Sequence, residues 1–189
     1  AGEGKRLRPL TNKIPKCLID FSGKPILYRQ IDTLKKFKPK KITVIAGYLH
    51  KKIKHNDIKI IYNKNYLSTN MVYTLFCAKN QMKSNEDIII TYGDILYEDK
   101  VISELINTEG DIIICVNRKW RELWEIRMAN PLKDAETLKI IDENRIIEIG
   151  KKPNTFSDID GQYMGIIKIS YKFVERLKGF WQHLNMEKK

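Results

Sequence analysis

The sequence predicts an α/β fold, a Rossmann-like, mixed and mostly parallel sheet flanked by helices. Three observations carry that reading. Apolar, β-branched runs recur at Ile42–Ala46, Ile58–Tyr62, 87–91 and 111–117, and stretches with helical spacing separate them. Those runs are continuous rather than alternating, which is the composition of strands covered on both faces. The chain also opens on a glycine loop, Ala1-Gly2-Glu3-Gly4-Lys5-Arg6, of the kind that α/β sheets present at the carboxyl ends of their strands.

Taken in order, residues 18–21 are a short apolar piece, and Ser22-Gly23-Lys24-Pro25 is turn chemistry. Pro25 suits the first position of a helix, and Ile26, Leu27, Ile31, Leu34 and Phe37 then repeat at helical spacing. Gly47-Tyr48 closes the first long strand. Ser68-Thr69-Asn70 is an N-cap cluster that predicts a helix over 71–82. The strand at 87–91 ends in Tyr92-Gly93-Asp94, and Asp99 is expected to cap a helix through Ile106. Leu138–Ile141 and Arg145–Ile149 read as a hairpin around Asp142-Glu143-Asn144. Residues 161–170 read as a strand and 171–184 as the last helix. No repeat, low-complexity segment or linker interrupts this order.

A content of 42% apolar and 31% charged residues excludes a disordered or collagen-like chain. No apolar run approaches the ~20 residues of a membrane span. Cys17, Cys77 and Cys115 are odd in number and widely spaced, which fits packing in a reducing cytoplasm and no zinc site. His50, His55 and His183 lack a metal spacing. The net charge of +12 lies in the first third: residues 1–60 hold 16 Lys/Arg against four Asp/Glu, while 19 and 19 cancel in the remainder. That asymmetry favours a polyanionic ligand near the loop. The lysines between Lys35 and Lys54 also read as an ordinary solvated surface.

The loop is not a dinucleotide fingerprint, because Leu7 stands where glycine would be needed, and no Walker A motif occurs. It continues as Lys5-Arg6-Leu7-Arg8-Pro9-Leu10-Thr11, then Pro15-Lys16-Cys17-Leu18 and Gly23-Lys24-Pro25. This composite resembles the signature of the GT-A-like nucleotidyltransferases that activate sugar phosphates and small phospho-alcohols. The resemblance implies that Ala1, Gly2, Glu3 and Gly4 hold a nucleoside triphosphate. It implies catalytic roles for Arg6, which would bind the departing pyrophosphate, and Lys16, which would neutralise charge at the α-phosphate. Such transfer needs alignment and charge stabilisation rather than a covalent intermediate. Asp94 stands where the family has a metal-binding aspartate, so Mg²⁺ is the implied cofactor; a plain turn residue is the alternative. The family's second metal carboxylate has no counterpart before Lys189, and no strand precedes Ala1. A chain shortened at both ends is therefore expected.

Tyr66-Leu67-Ser68-Thr69-Asn70-Met71-Val72, with Gly47 and Tyr48 beside it, resembles the base-recognition corner of the cytidylyltransferase branch and points to CTP. Helix capping accounts for the same residues. Trp120-Arg121-Glu122-Leu123-Trp124-Glu125-Ile126-Arg127, Asp134-Ala135-Glu136-Thr137, Gly150-Lys151-Lys152-Pro153 and Gly161-Gln162-Tyr163-Met164-Gly165 are similar to segments of phosphocholine cytidylyltransferases from bacterial surface-glycan pathways. By that resemblance Lys152 would bind the acceptor's phosphate, and Trp120, Trp124, Arg127, Tyr163 and Gly165 would belong to the acceptor subsite. The aromatic trio suits a quaternary ammonium, and core packing explains each tryptophan equally well. Arg118, Arg121 and Arg127 favour instead an acceptor with a carboxylate or amide, such as phosphoglutamine.

The expectation is one domain over 1–189, with a nucleotide-binding part at 1–117 and an acceptor-binding part at 118–189. It would be a cytoplasmic enzyme joining CTP to a small phosphorylated acceptor for surface-polysaccharide decoration. Nucleic acid and membrane are not expected partners, and a homo-oligomer is left open. One rival is a hexose-1-phosphate nucleotidylyltransferase, whose sugar pocket would favour polar groups over paired tryptophans. The other is a basic nucleic-acid-binding module, for which no RRM, KH or helix-turn-helix signature appears.

Overall fold

The computed structural model describes residues 2–142 and 144–186. Ala1, expected at the nucleotide, and Glu143, expected in the hairpin turn, lie outside the described residues. Packing divides the chain into two compact units, Ala1–Ile113 with Ile167–Lys189, and Ile114–Ile166. No helix among the described residues is long and apolar enough to cross a membrane.

In the first unit the opening loop folds as short 3-10 turns at Lys5–Leu7, Leu10–Asn12 and Lys16–Leu18. The two-residue strands β1 (Asp20–Phe21) and β2 (Lys24–Pro25) pair antiparallel and lead into α1 (Ile26–Lys35). β3 (Ile42–Ala46) and β4 (Ile58–Tyr62) pair parallel, in register from Ile42 opposite Ile58 to Ala46 opposite Tyr62. The apolar stripe of α1 buries Leu27 and Ile31 against Ala46 and Ile53, with Cys17, Leu18, Val44 and Ile60 around them. Burial pushes the Cys17 thiol up to about 11, so it stays protonated at neutral pH.

Asn70 starts α2 (Met71–Phe76), its side-chain oxygen accepting the Tyr73 amide at 3.0 Å. The helix is shorter than the spacing predicts. The Cys77 amide bonds to both Tyr73 and Thr74 carbonyls and the Ala78 amide to Leu75, so the ladder tightens and a 3-10 turn at Lys79–Gln81 follows. After β5 (Ile88–Thr91) comes α3 (Asp99–Asn107). Glu98, not Asp99, occupies its N-cap; Asp99 sits in the first turn and pairs with Lys36 Nζ at 2.6 Å.

β6 (Ile112–Asn117), α4 (Trp120–Arg127), the hairpin β7 (Leu138–Ile141) and β8 (Arg145–Ile149), β9 (Gln162–Ile169) and α5 (Tyr171–Met186) complete the order. The boundary between the units falls inside β6 and β9. A second core of the first unit gathers Phe76, Met82, Ile169 and Val174, with Trp181 stacked on Phe76 at 4.5 Å. Lys168 is buried in β9 and donates to the Ile106 carbonyl at 2.8 Å and to the Thr108 carbonyl, satisfying the end of α3.

The expected α/β class holds. Among the described residues the strands pair in four sheets, the largest with order β5-β9-β6. No backbone ladder joins β3 to β5 among those residues; the Gln30 side chain of α1 bonds to the end of β5 instead.

The second unit packs Trp120, Ala135 and Ile159 with Trp124, Leu132 and Phe156. Its 151–160 loop is held by carboxylates. Asp158 and Thr155 form a capping box, and the Asp160 carboxylate accepts the Ile140 amide at 2.8 Å and Lys139 Nζ at 3.2 Å. The Ile140 amide, then Lys139, hold the Asp160 carboxyl below its ordinary range. A carboxyl lowered in the folded state stabilises above its unfolded value of ~3.9, and that stabilisation is lost as pH falls through the folded value. Asp160→Asn is therefore expected to lower Tm at neutral pH and to flatten the loss of Tm on acidification below about pH 4. Thermal melts across a pH series check this, and an acid limb as steep as that of the wild type would refute it.

Candidate functional site

The opening loop is built around Gly4 and Thr11. Gly4 sits at φ +63°, and a Cβ there would meet Thr11 Cγ2 at 3.1 Å and Lys16 Cβ at 3.4 Å. Only glycine takes this conformation without strain. Thr11 is fully buried, and its hydroxyl donates to the Gly4 carbonyl at 2.9 Å. Gly2, by contrast, has open space where its side chain would be, so a ligand can approach the backbone there. Glu3 faces cations, pairing with Lys5 at 3.0 Å and Arg8 at 3.3 Å. Arg6 is exposed, and nothing pairs with it among the described residues.

The ends of two strands meet this loop. After β3, Gly47 is buried and the Tyr48 hydroxyl donates to the Asn12 carbonyl at 3.1 Å. After β5, a Cβ on Gly93 would lie 3.6 Å from Cys17 Cβ, and Asp94 Oδ2 pairs with Lys16 Nζ at 2.6 Å. Each charge of that pair is partly exposed, at 44% for Lys16 and 29% for Asp94, so both remain available to a ligand. Among the described residues no group of three or more His, Cys, Asp or Glu is placed to hold a metal ion. Asp94 brings one carboxylate to the loop beside Lys16, while the Glu3 carboxylate is taken up by Lys5 and Arg8. The Asp94 carboxylate fits a hard cation that takes its other ligands from phosphates and water.

The 63–74 corner is organised by Asn63, which sequence reasoning missed. Asn63 is 1% exposed. Its amide donates to the Thr69 and Thr74 hydroxyls at 3.1 and 3.0 Å, and its oxygen accepts the Asn65 amide at 3.0 Å. The Ser68 and Thr69 hydroxyls both donate to the Asn65 carbonyl, at 3.3 and 2.8 Å. Their hydrogens thus serve the turn, and Asn70, an exposed residue, caps α2 through its side-chain oxygen. A polar residue directly after the apolar run Ile58–Tyr62 was the available signal for Asn63. Gln30 was missed likewise; its signal was an amide on the apolar stripe between Leu27 and Ile31.

In the second unit, Lys152 Nζ donates to the Leu132 and Lys133 carbonyls at 2.7 and 2.6 Å, capping the 3-10 turn at Pro131–Lys133. Trp120 is 3% exposed and packs edge-on to Trp124 at 6.0 Å. The Trp124 indole donates to Asp134 at 3.1 Å, and the Arg127 guanidinium lies 5.2 Å over its ring. Arg121 stacks on Phe156 at 4.2 Å and pairs with Glu125 at 2.6 Å. Tyr163 is half-buried in β9, and Gly165 is buried there at φ +81°.

Residues 1–177 match the MobA-like NTP transferase domain. The chain is 40% identical to the CTP:phosphoglutamine cytidylyltransferase of Campylobacter jejuni, over 99% of this chain and 77% of that protein. It spans 34–35% of several longer bifunctional relatives. Two solved structures share the fold at 19% identity. The inositol-1-phosphate CTP transferase from T. maritima has a TM-score of 0.70 over 93% of this chain and 69% of that one. The CTP:phosphocholine cytidylyltransferase from Streptococcus pneumoniae has 0.66 over 100% and 76%. With a match running from the opening glycines into helix α5, the chain belongs to the MobA-like NTP transferase family and is a nucleotidyltransferase.

Proposed function

We propose that the chain is a cytoplasmic cytidylyltransferase that joins CTP to a small phosphorylated acceptor bearing a carboxylate or amide, phosphoglutamine being the best fit. The products are a CDP-linked acceptor, for surface-polysaccharide decoration, and pyrophosphate. The observation that carries the chemistry is the Lys16–Asp94 pair, 2.6 Å apart beside the glycine loop. The identity of the acceptor is supported by the arginines on the second unit's aromatic rings, since Arg127 already covers Trp124, and by the Campylobacter jejuni relative. A Rossmann-like, mostly parallel sheet uniting the short strands belongs to the same reading, supported by the likeness to the two solved structures.

In this reading an acceptor phosphate oxygen attacks the α-phosphorus, the α–β bridge breaks, and its electron pair leaves with pyrophosphate. Lys16 turns from Asp94 to the α-phosphate and neutralises the charge that develops there. Arg6, exposed on the loop, takes the pyrophosphate, while Gly2 and Gly4 let the backbone reach the phosphates. Mg²⁺, held by Asp94 and substrate phosphates, would supply further charge neutralisation at the α-phosphate. Tyr48 and Asn70 are assigned to the cytosine side, Asn70 through its side-chain amide nitrogen; Ser68 and Thr69 shape the same corner. Lys152 would leave its two carbonyls for the acceptor's phosphate.

The test is pyrophosphate release with each of the four NTPs against phosphocholine, phosphoglutamine and glucose-1-phosphate. Release with CTP and phosphoglutamine is expected to exceed every other combination by at least about tenfold. Release with glucose-1-phosphate instead would move the chain to sugar activation. No release with any combination would overturn the reading.

A further inference from the structure

We infer that Gln30 of α1 is a positioning residue for Asp94, and that through it the helix sets how the site holds its divalent cation. The inference rests on the reading above for the role of Asp94. Gln30 is 3% exposed and carries no charge, yet both ends of its amide are spent on the Asp94 turn. Its nitrogen donates to the Tyr92 carbonyl at 2.9 Å and to the Ile95 carbonyl, and its oxygen accepts the Thr91 hydroxyl at 3.3 Å. Tyr92 and Ile95 bracket Gly93 and Asp94, so the two carbonyls are drawn toward α1 on either side of the turn. Asp94 is left facing the loop, where Lys16 meets it at 2.6 Å. The turn is further seated by the close approach of Gly93 to Cys17.

A carboxylate on a turn of this kind would otherwise move with its backbone. One buried amide that bridges both flanking carbonyls removes that freedom, as groups behind a metal ligand generally do. The Thr91 hydroxyl on the amide oxygen also fixes which way the amide faces, so that its nitrogen points at the carbonyls.

Gln30→Met keeps the volume and removes both donors. Ile31→Val, one residue along the same helix, serves as the packing control. In Gln30→Met the Mg²⁺ concentration for half-maximal pyrophosphate release is expected to rise by ~10-fold, with a similar fall in kcat and little change in the KM for CTP. Ile31→Val should shift neither. A magnesium midpoint in Gln30→Met within about twofold of that control, well short of the effect of losing a group behind a metal ligand, would overturn the inference.

A second readout needs no catalysis: amide hydrogen exchange over residues 91–96 in the nucleotide-free protein. It should quicken by about tenfold or more in Gln30→Met and stay unchanged in Ile31→Val. Unchanged exchange in both overturns the inference. If the wild type releases no pyrophosphate, the proposed function falls, and the exchange result alone decides the role of Gln30. Should Gln30→Met fail to fold, Thr91→Val decides: faster exchange at 92–95 supports the role of the amide, and unchanged exchange overturns it.

Discussion

Lys16→Ala is expected to lower kcat for nucleotidyl transfer by ~10²–10³ while leaving Tm within a few degrees of the wild type. The two halves of that expectation come from one geometry. Lys16 Nζ is 2.6 Å from Asp94, but its side chain is 44% exposed and the aspartate's 29% exposed. Ion pairs this open to water contribute about 0–1 kcal/mol, and for a chain of this size ~1 kcal/mol moves Tm by roughly 2–4 °C. On the proposed reading the cation's larger contribution comes when charge builds on the α-phosphate in the transition state. Steady-state kinetics with a parallel melt separate the two. A variant that keeps its kcat would strip Lys16 of the catalytic role, whereas a large fall in Tm would make the pair structural. On the proposed reading the carboxylate left behind in Lys16→Ala still holds the metal, so added Mg²⁺ should restore little of the lost rate.

Gly161→Ala is the substitution expected to cost most in stability. A Cβ at that position would lie 2.3 Å from Val116 Cγ1 and 3.2 Å from the Asn117 carbonyl oxygen. Val116 is too short to swing aside and the carbonyl belongs to the backbone, so the 116–117 and 161 segments must separate. Overpacking of this kind costs about 1–3 kcal/mol and occasionally more. At the upper end of that range Tm falls by roughly 6–12 °C. Gly179 provides the internal contrast: it lies inside α5, and an added Cβ would find nothing within 4 Å. Gly179→Ala should raise stability by up to ~1 kcal/mol, because alanine is the better helix former. Denaturant titration of both variants is the measurement. Equal behaviour of the two glycines would show that Gly161 is not held at that close approach.

Much of the site's outline is legible in the residue order alone. Gly4 and Lys16 stand in a glycine-rich, cation-rich loop, Asp94 and Tyr48 follow apolar strands, and Asn70 precedes a helical pattern. These are local signals, because chain direction and short spacing place such groups at strand ends and helix caps. The α2 helix shows how far such signals reach. Its apolar spacing runs on to Met82, but the helix stops at Phe76, where bonds from Cys77 and Ala78 tighten the ladder.

The residues that hold the site in place were not legible in the same way. Gln30 reaches Thr91 and Tyr92 across 61 and 62 residues of chain, and Lys168 reaches Ile106 across 62. Asn63 anchors a corner whose residue order reads as a helix cap and resembles a base-recognition segment, without showing what holds it. A polar side chain can be buried only where its partners are already fixed, because an unpaired amide or ammonium inside costs more than its burial returns. The amino-acid order was therefore enough to place Lys16 in a glycine-rich loop and Asp94 after an apolar strand, since local spacing selects such residue types there. Which buried amide pins the aspartate, and which cations already have partners, was decided only when distant segments packed together and satisfied each other's hydrogen bonds.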